Sequence, residues 1–360
     1  MIQKIVLMLF SLFLTAGCSV SNVNKKNADG TFRDLHMKNV TQLTFEGDNG
    51  EAYFSRDGLK LIYQSNRGGY ICDKIWIMNI DGSYKHMVSP DHGANTCSFF
   101  FPDNQKIIFS STNHLPGECP PKPEMPKTAL GHVWPLYPYD IFTANIDGSG
   151  LEKITDNPGY DAEPVVSSDG KKIVFGSKRY GDFDVYIMNS DGSNVLRLTD
   201  RYGYDGGPWL SPDGMKIVWR AWHPGTEEEE DIWRKCMEGN YIVPLPLDLW
   251  VMDSDGSEKK LILKNGATNF CPSWHPDGKR IIFSSNMDDW HDDVKRYGHN
   301  FELYIITFDG TGLERVTYNK VFDGFPMFSA DGTKLAFASN RNPENPRATD
   351  IFIADWIEKN

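Results

Sequence analysis

Several signatures are missing from this chain, and each absence removes a class of function. There is no Gly-x-Ser-x-Gly elbow, no His-Glu-x-x-His pair and no glycine-rich phosphate loop, so the common serine-hydrolase, zinc-protease and nucleotide-binding chemistries have no carrier. Positive charge is in short supply: 37 Lys and Arg face 49 Asp and Glu, a net charge of −12. Binding along a nucleic acid backbone needs Lys and Arg to neutralise phosphates, so DNA and RNA are not expected partners. Beyond the first residues nothing approaches the roughly 20 apolar residues of a membrane-spanning helix. What is present is globular: 40% of residues are hydrophobic, and 32 Gly with 21 Pro favour many turns over long helices.

The N-terminus reads as an export signal. Lys4 supplies a positive start, Ile5 to Leu14 an apolar stretch too short to span a bilayer, and Leu14-Thr15-Ala16-Gly17-Cys18 a small-residue cleavage site. These five residues resemble the lipobox of bacterial lipoproteins. The resemblance implies cleavage after residue 17 and acylation of Cys18 by a chain such as palmitate. Ser19, rather than Asp, follows the cysteine, which by the same resemblance implies an outer-membrane anchor facing the periplasm. Residues 18–30 are polar and patternless, as a flexible tether would be.

From there the chain repeats itself. Turns centred on Asp57, Asp103, Asp169, Asp213, Asp277 and Asp331 each precede a β-rich segment such as Lys-Lys-Ile-Val-Phe. Second turns follow at Asp81, Asp147, Asp191, Asp255 and Asp309. From each second turn to the next first turn the distance is always 22 residues, whereas from first to second turn it runs 24, 44, 22, 42 and 32. All length variation therefore sits in the connection between the second and third strands. Strand direction alternates in an antiparallel sheet, so one face keeps short turns and the opposite face carries the insertions. Repeats of this length predict an all-β fold: a six-bladed β-propeller of four-stranded antiparallel blades. The last repeat lacks its fourth strand, and the segment from Val40 to Thr44 matches the missing one, so the N-terminal strand should close the last blade. Closure removes exposed sheet edges. The organisation is then a signal peptide at 1–17, a lipidated tether at 18–30 and one propeller at 31–360 with insertions at 113–138, 222–247 and 287–300.

The pattern Ser-Pro-Asp-Gly-x-x-Ile-x-Phe-x-Ser-x-Arg followed by Asp-x-Tyr-x-Met-Asn-x-Asp-Gly-Ser resembles the repeats of TolB-type propellers over residues 40–356. TolB proteins carry an α/β domain ahead of the propeller, and none is readable between Cys18 and the first strand here. The resemblance therefore implies the fold without the TolB role.

Eight residues before every first turn stands Asp or Asn: Asn49, Asn95, Asp161, Asp205, Asn269 and Asp323. A ring at the channel mouth follows. Its members either cap their own turns or gather as oxygen ligands, with Asp161, Asp205 and Asp323 the carboxylates a divalent cation such as calcium would use. Two residues further on come Glu51, Cys97, Glu163, Gly207, Cys271 and Phe325, and capping does not explain Glu51 or Glu163. Arg220 is placed to pair with Asp205 or to hold an anionic ligand.

The blade-two insertion, with seven prolines, Trp134 and Tyr137, reads as a rigid cover or a partner contact. In blade four, Thr226 and Glu229 form a capping box, with Ile232, Trp233 and Cys236 on one side of a short helix. The blade-five insertion, with Asp288, Asp289, His291, Asp292, Asp293 and His299, reads as a solvated acidic loop before a metal site. Cys72, Cys97, Cys119, Cys236 and Cys271 are disulfide candidates in an oxidising compartment, and an odd count leaves at least one free. Two of the first three lie close enough in the fold to join, and Cys236 is within reach of Cys271. Cys97 and Cys271 stand three blades apart and should not pair. A zinc site with His92 or His114 is the weaker use of these thiols.

No catalytic residue is assigned. The expected function is a monomeric binding scaffold, held to the membrane by its lipid, that takes an envelope protein, peptide or other ligand on the decorated face and channel mouth. Two alternatives stand beside it: a metal-dependent lyase or hydrolase at the channel mouth, and a peptide-gating module for a separate protease.

Overall fold

The computed structural model describes residues 34, 36–124, 126 and 133–358. The export signal, Cys18 and the tether lie outside the described residues. Among the described residues no helix is long and apolar enough to cross a membrane.

Six four-stranded antiparallel sheets surround an axis, in chain order. Their innermost strands are Asn49–Phe54, Asn95–Phe100, Asp161–Val166, Tyr204–Leu210, Asn269–Trp274 and Asp323–Phe328. The last blade is completed from the other end of the chain: Met37–Gln42 pairs antiparallel with Asp350–Trp356. This is the all-β, six-bladed closure that the repeats predict.

The repeat motif explains each hairpin. In blades one, three, four and six the turn serine donates to the turn aspartate, at 2.6–2.7 Å from Ser55, Ser167, Ser211 and Ser329. The same aspartate accepts a backbone N–H two residues on, at 3.0 Å for Leu59, so the turn is fixed by its own side chains. Apolar residues alternate along the strands and meet those of the next blade. Between blades two and three the contact comprises Phe101, Ile108, Ile141, Val166, Ile173, Phe175, Tyr186 and Met188. Each blade thus buries both faces against its neighbours, leaving the axis to the innermost strands.

The insertions build a cap. Trp134–Pro135 of blade two pairs with Tyr241–Ile242 of blade four, bridging over blade three. Helix α1, Glu227–Gly239, has Thr226 as its N-cap and Asn240 in the left-handed region at its end. Trp233 is fully buried and donates to Asp182 Oδ1 at 2.7 Å, tying α1 to blade three. Ile232, expected beside Trp233 on the packed side, is instead 41% exposed. Cys72 and Cys119 form a disulfide that anchors the blade-two insertion to blade one. Cys97, Cys236 and Cys271 are free. The anticipated Cys236–Cys271 bridge is not made, because Cys236 packs inward on α1 among Trp222, Trp233 and Leu245 while Cys271 lines the channel.

Candidate functional site

The six Asp and Asn residues do form a ring, and the fold consumes it. All six are 0–2% exposed. Asn49 donates to the carbonyls of Gly47 and Thr349, Asn95 to Gly93, and Asn269 to Leu247. Asp161 holds Arg179 at 3.0 Å, and Asp323 holds Arg341 at 2.7 Å. Asp205 accepts from Trp219 Nε1 at 2.7 Å and sits 3.1 Å from His223 Nε2. These are turn-capping and pinning contacts within blades or between neighbours. The calcium reading of Asp161, Asp205 and Asp323 loses its ligands to Arg179, His223 and Arg341. Among the described residues no group of three or more His, Cys, Asp or Glu is arranged to hold a metal ion. The blade-five acidic residues follow suit: Asp288 pairs with Arg315, and Asp289 with His291. Cys72 and Cys119 are spent in their disulfide, so the zinc reading loses two thiols, and His114 lies against Asp140.

The chemistry sits one step deeper. In every innermost strand the register slips by one residue, as between Gly50, opposite Gln64, and Tyr53, opposite Ile62. The same slip recurs in the other five blades. Each slip is a β-bulge whose central residue has positive φ: Glu51 50°, Cys97 49°, Glu163 60°, Gly207 58°, Cys271 51° and Phe325 54°. Only Gly takes this conformation without strain; any other residue costs about 1–3 kcal/mol. Five of the six bulges carry a side chain regardless, and the bulges set these side chains around the channel.

The arrangement is linked around the ring. Glu163 Oε2 accepts the Gly207 N–H of the next blade at 2.8 Å, and its Oε1 pairs with Arg220 at 2.5 Å. Arg220 also donates to Tyr204 Oη at 3.0 Å and reaches Cys271 Sγ at 3.8 Å. Blade four has Gly at its bulge because a Cβ there would stand 2.6 Å from the Arg220 guanidinium; Arg220 fills the place of the missing side chain. The sequence-based pairing of Arg220 with Asp205 is therefore replaced by one with Glu163. Gln64 Oε1 accepts from Thr96 Oγ1 at 2.6 Å and from the Cys97 N–H at 3.1 Å.

Below the bulge ring, Tyr53, Phe99 and Trp209 meet across the axis with ring centres 5.0–5.9 Å apart, forming an aromatic floor. Above it stand Tyr139, Tyr160, Phe183 and Tyr204 in a chain of ring contacts under the cap. On the opposite side Phe270, Phe322 and Phe325 form a second aromatic wall. Burial raises the Glu51 carboxyl to about 7, with the Glu163 charge adding to the effect; the Cys97 hydrogen bond and Arg220 oppose it. Burial likewise pushes the Cys97 and Cys271 thiols well up, so neither is an activated nucleophile. Sequence reasoning did name Glu51, Glu163 and Arg220. It placed Cys97 and Cys271 at the same offset in the repeat as Glu51 and Glu163, and it missed the aromatic floor, whose members come from three different blades.

A family model described as the TolB beta propeller domain matches residues 138–237. The Tol-Pal system protein TolB of Alcanivorax borkumensis is 31% identical over 97 residues, 27% of this chain and 20% of that protein. Dipeptidyl-peptidase 5 of Porphyromonas gingivalis is 27% identical over 245 residues, 60% of this chain and 35% of that enzyme. The chain spans between a fifth and a third of the length of the first curated relatives it matches. A TolB structure from Agrobacterium tumefaciens superposes with a TM-score of 0.57 at 18% identity, covering 89% of this chain and 97% of that one. At that identity the likeness is one of fold.

Proposed function

We propose that this propeller of TolB-type repeats is an exported, lipid-anchored scaffold that binds an envelope protein through its decorated face. The anchor reading rests on Leu14 to Cys18, with cleavage after 17, acylation of Cys18, a tether to residue 30 and one monomeric propeller beyond it. Ser19 favours the outer membrane, with the propeller in the periplasm. Relatives named as components of the Tol-Pal system are in keeping with an envelope partner.

One observation carries the binding reading: large apolar side chains stand exposed on connections of the decorated face. Phe45, Ile71 and Tyr180 are 72–74% exposed, and Trp134, Tyr202 and Trp290 45–48%. They ring a mouth whose cap is held by the Cys72–Cys119 disulfide and the sheet between blades two and four. Exposed aromatics on a rigid support are the usual anchors of a protein interface. A metal-dependent lyase or hydrolase would need a ligand set that Asp161, Asp205 and Asp323 do not supply.

Photo-crosslinking in cells tests this. A crosslinkable residue at Tyr180 or Tyr202 should give a discrete protein adduct, and one at Tyr84, on a turn of the opposite face, should give none. Adducts from Tyr84 alone would overturn the assignment.

A further inference from the structure

On the undecorated side, where the third and fourth strands of blade one meet, an open groove of about 510 Å³ is lined by Lys60, Asn79, Tyr84, Lys85 and His86. Lys60 stands opposite Asn79 in the sheet and donates to its Oδ1 at 3.4 Å, and Lys85 Nζ donates to the Gly82 carbonyl. Neither ammonium has a carboxylate partner among the described residues; each meets one neutral oxygen. The carboxylates of the two adjoining turns are spent on the turns themselves. Asp57 accepts from Ser55 Oγ at 2.6 Å and from the Leu59 N–H at 3.0 Å, and Asp81 accepts from the Ser83 N–H at 2.9 Å and its Oγ at 2.6 Å. His86 Nδ1 donates to the Tyr84 carbonyl at 3.1 Å, which leaves Nε2 for the groove.

The other blades show that the repeat does not require this arrangement. Blade four has the same three cations, Lys216, Lys259 and Lys260, but Asp253 replaces Asn79 and pairs with Lys216 at 2.6 Å, and Glu258 replaces Tyr84. Blade six likewise pairs Lys334 with Asp355 at 2.8 Å. Blade three keeps Lys172 with Asn189, yet has Val195 and Leu196 where Lys85 and His86 stand. Blade one alone collects the cations and leaves out the acids. Tyr84 is equally particular to it. Its φ is 51°, at a position that blades two and five give to Gly150 and Gly312, and its side chain is 82% exposed. A bulky residue is therefore held in a conformation that favours glycine without being buried in return.

We propose that this groove is a binding site for a phosphate ester, its phosphate held by Lys60 and Lys85 and its organic part laid along Tyr84. Two ammonium groups without an acid between them suit a ligand with several charged oxygens, because charge-assisted hydrogen bonds can then form to both at once. The His86 Nε2 adds a polar group at the same rim. A volume of about 510 Å³ exceeds what a phosphate alone fills and leaves room for the group it esterifies. The exposed Tyr84 ring gives that group an apolar face with a hydroxyl at its edge. A metal ion is disfavoured by the lysines, and a long polyanion by the net charge of −12 on the chain. The site lies on the face opposite the decorated one and is independent of partner binding there.

The test is calorimetric titration of the full chain, in a phosphate-free buffer with a sugar-based nonionic detergent. The probes are sn-glycerol 3-phosphate and dihexanoyl phosphatidylglycerol, with choline as the charge-reversed control. At least one phosphate probe should bind, and at least about ten-fold more tightly to the wild type than to N79D or K60Q/K85Q. Choline should not bind. Asn79→Asp copies blade four, where Asp253 faces Lys216 in a folded blade, so it supplies the missing acid at a strand end that accepts it. Tighter binding of the lipid assigns the site to a phospholipid headgroup, and tighter binding of glycerol phosphate assigns it to a soluble ester. No binding of either phosphate, equal binding by N79D, or equal binding of choline overturns the inference. Should K60Q/K85Q fail to fold, N79D decides alone. A protein adduct from a crosslinkable residue at Tyr84 in cells would assign the groove to a protein partner and overturn the phosphate reading.

Discussion

Two rings of side chains occupy the same six strands, two residues apart, and have opposite fates. The upper ring, Asn49 to Asp323, is Asp or Asn in every blade and every member is buried in structural contacts. The lower ring is Glu, Cys, Glu, Gly, Cys and Phe at positive φ, four residue types over six blades. A role needed by every blade fixes one residue type at every blade, whereas a role belonging to the channel as a whole leaves the blades free to differ. Strain points the same way. Turn-capping by the upper ring relieves backbone groups, and the lower ring holds five non-glycine side chains in a costly conformation that Gly would take freely.

The comparison breaks most readily at the upper ring. Replacing Asp161, Asp205 and Asp323 together by Asn removes the charge facing Arg179 and Arg341. Uncompensated buried charge costs about 3–5 kcal/mol per broken pair. The triple variant should lose several degrees of melting temperature without any ligand present, read by circular dichroism. An unchanged melt would show that this ring is not structural.

The cap is the next largest effect. Cys72 and Cys119 close a loop with a sequence separation of 47, for which chain entropy gives about 4 kcal/mol. Replacing both by Ser should open the 113–138 insertion to limited proteolysis while the blades stay resistant. Blades cleaved as fast as the insertion would mean that the disulfide supports the whole propeller.

Glu51→Gln sharpens the contrast with the smallest change. A carboxyl raised to about 7 in the folded protein, against about 4.5 unfolded, stabilises the fold fully below pH 4.5 and loses that contribution as pH rises to 7. At most about 3 kcal/mol is involved. The difference in stability between E51Q and wild type should therefore move in favour of E51Q between pH 5 and pH 8, measured by urea unfolding. A pH-independent difference would mean that Glu51 is ionised throughout.

Much of the architecture was legible because its causes are local. The Ser-x-Asp-Gly turns satisfy their own hydrogen bonds, and the 22-residue spacing fixes which connections share a face. The match of Val40 to Thr44 with a fourth strand foretold the closure seen between Met37–Gln42 and Asp350–Trp356. Arg220 shows where that reasoning stops. Strand position placed it near Asp205, but Asp205 was taken by Trp219 and His223, and the Gly207 bulge opened the way to Glu163. Cys236 shows the same limit: it lies buried on α1, and its expected partner faces the channel.

The sequence by itself determined six repeats, their turns, the closing strand and the face that would be decorated, because each follows from hydrogen bonds and alternation within a few residues. Only the tertiary structure decided which side chains reach the axis. That depends on a one-residue slip in each innermost strand, and on side chains from different blades meeting across it. Tyr53 and Trp209, far apart in the chain and 5.0 Å apart in the fold, meet only once the ring has closed.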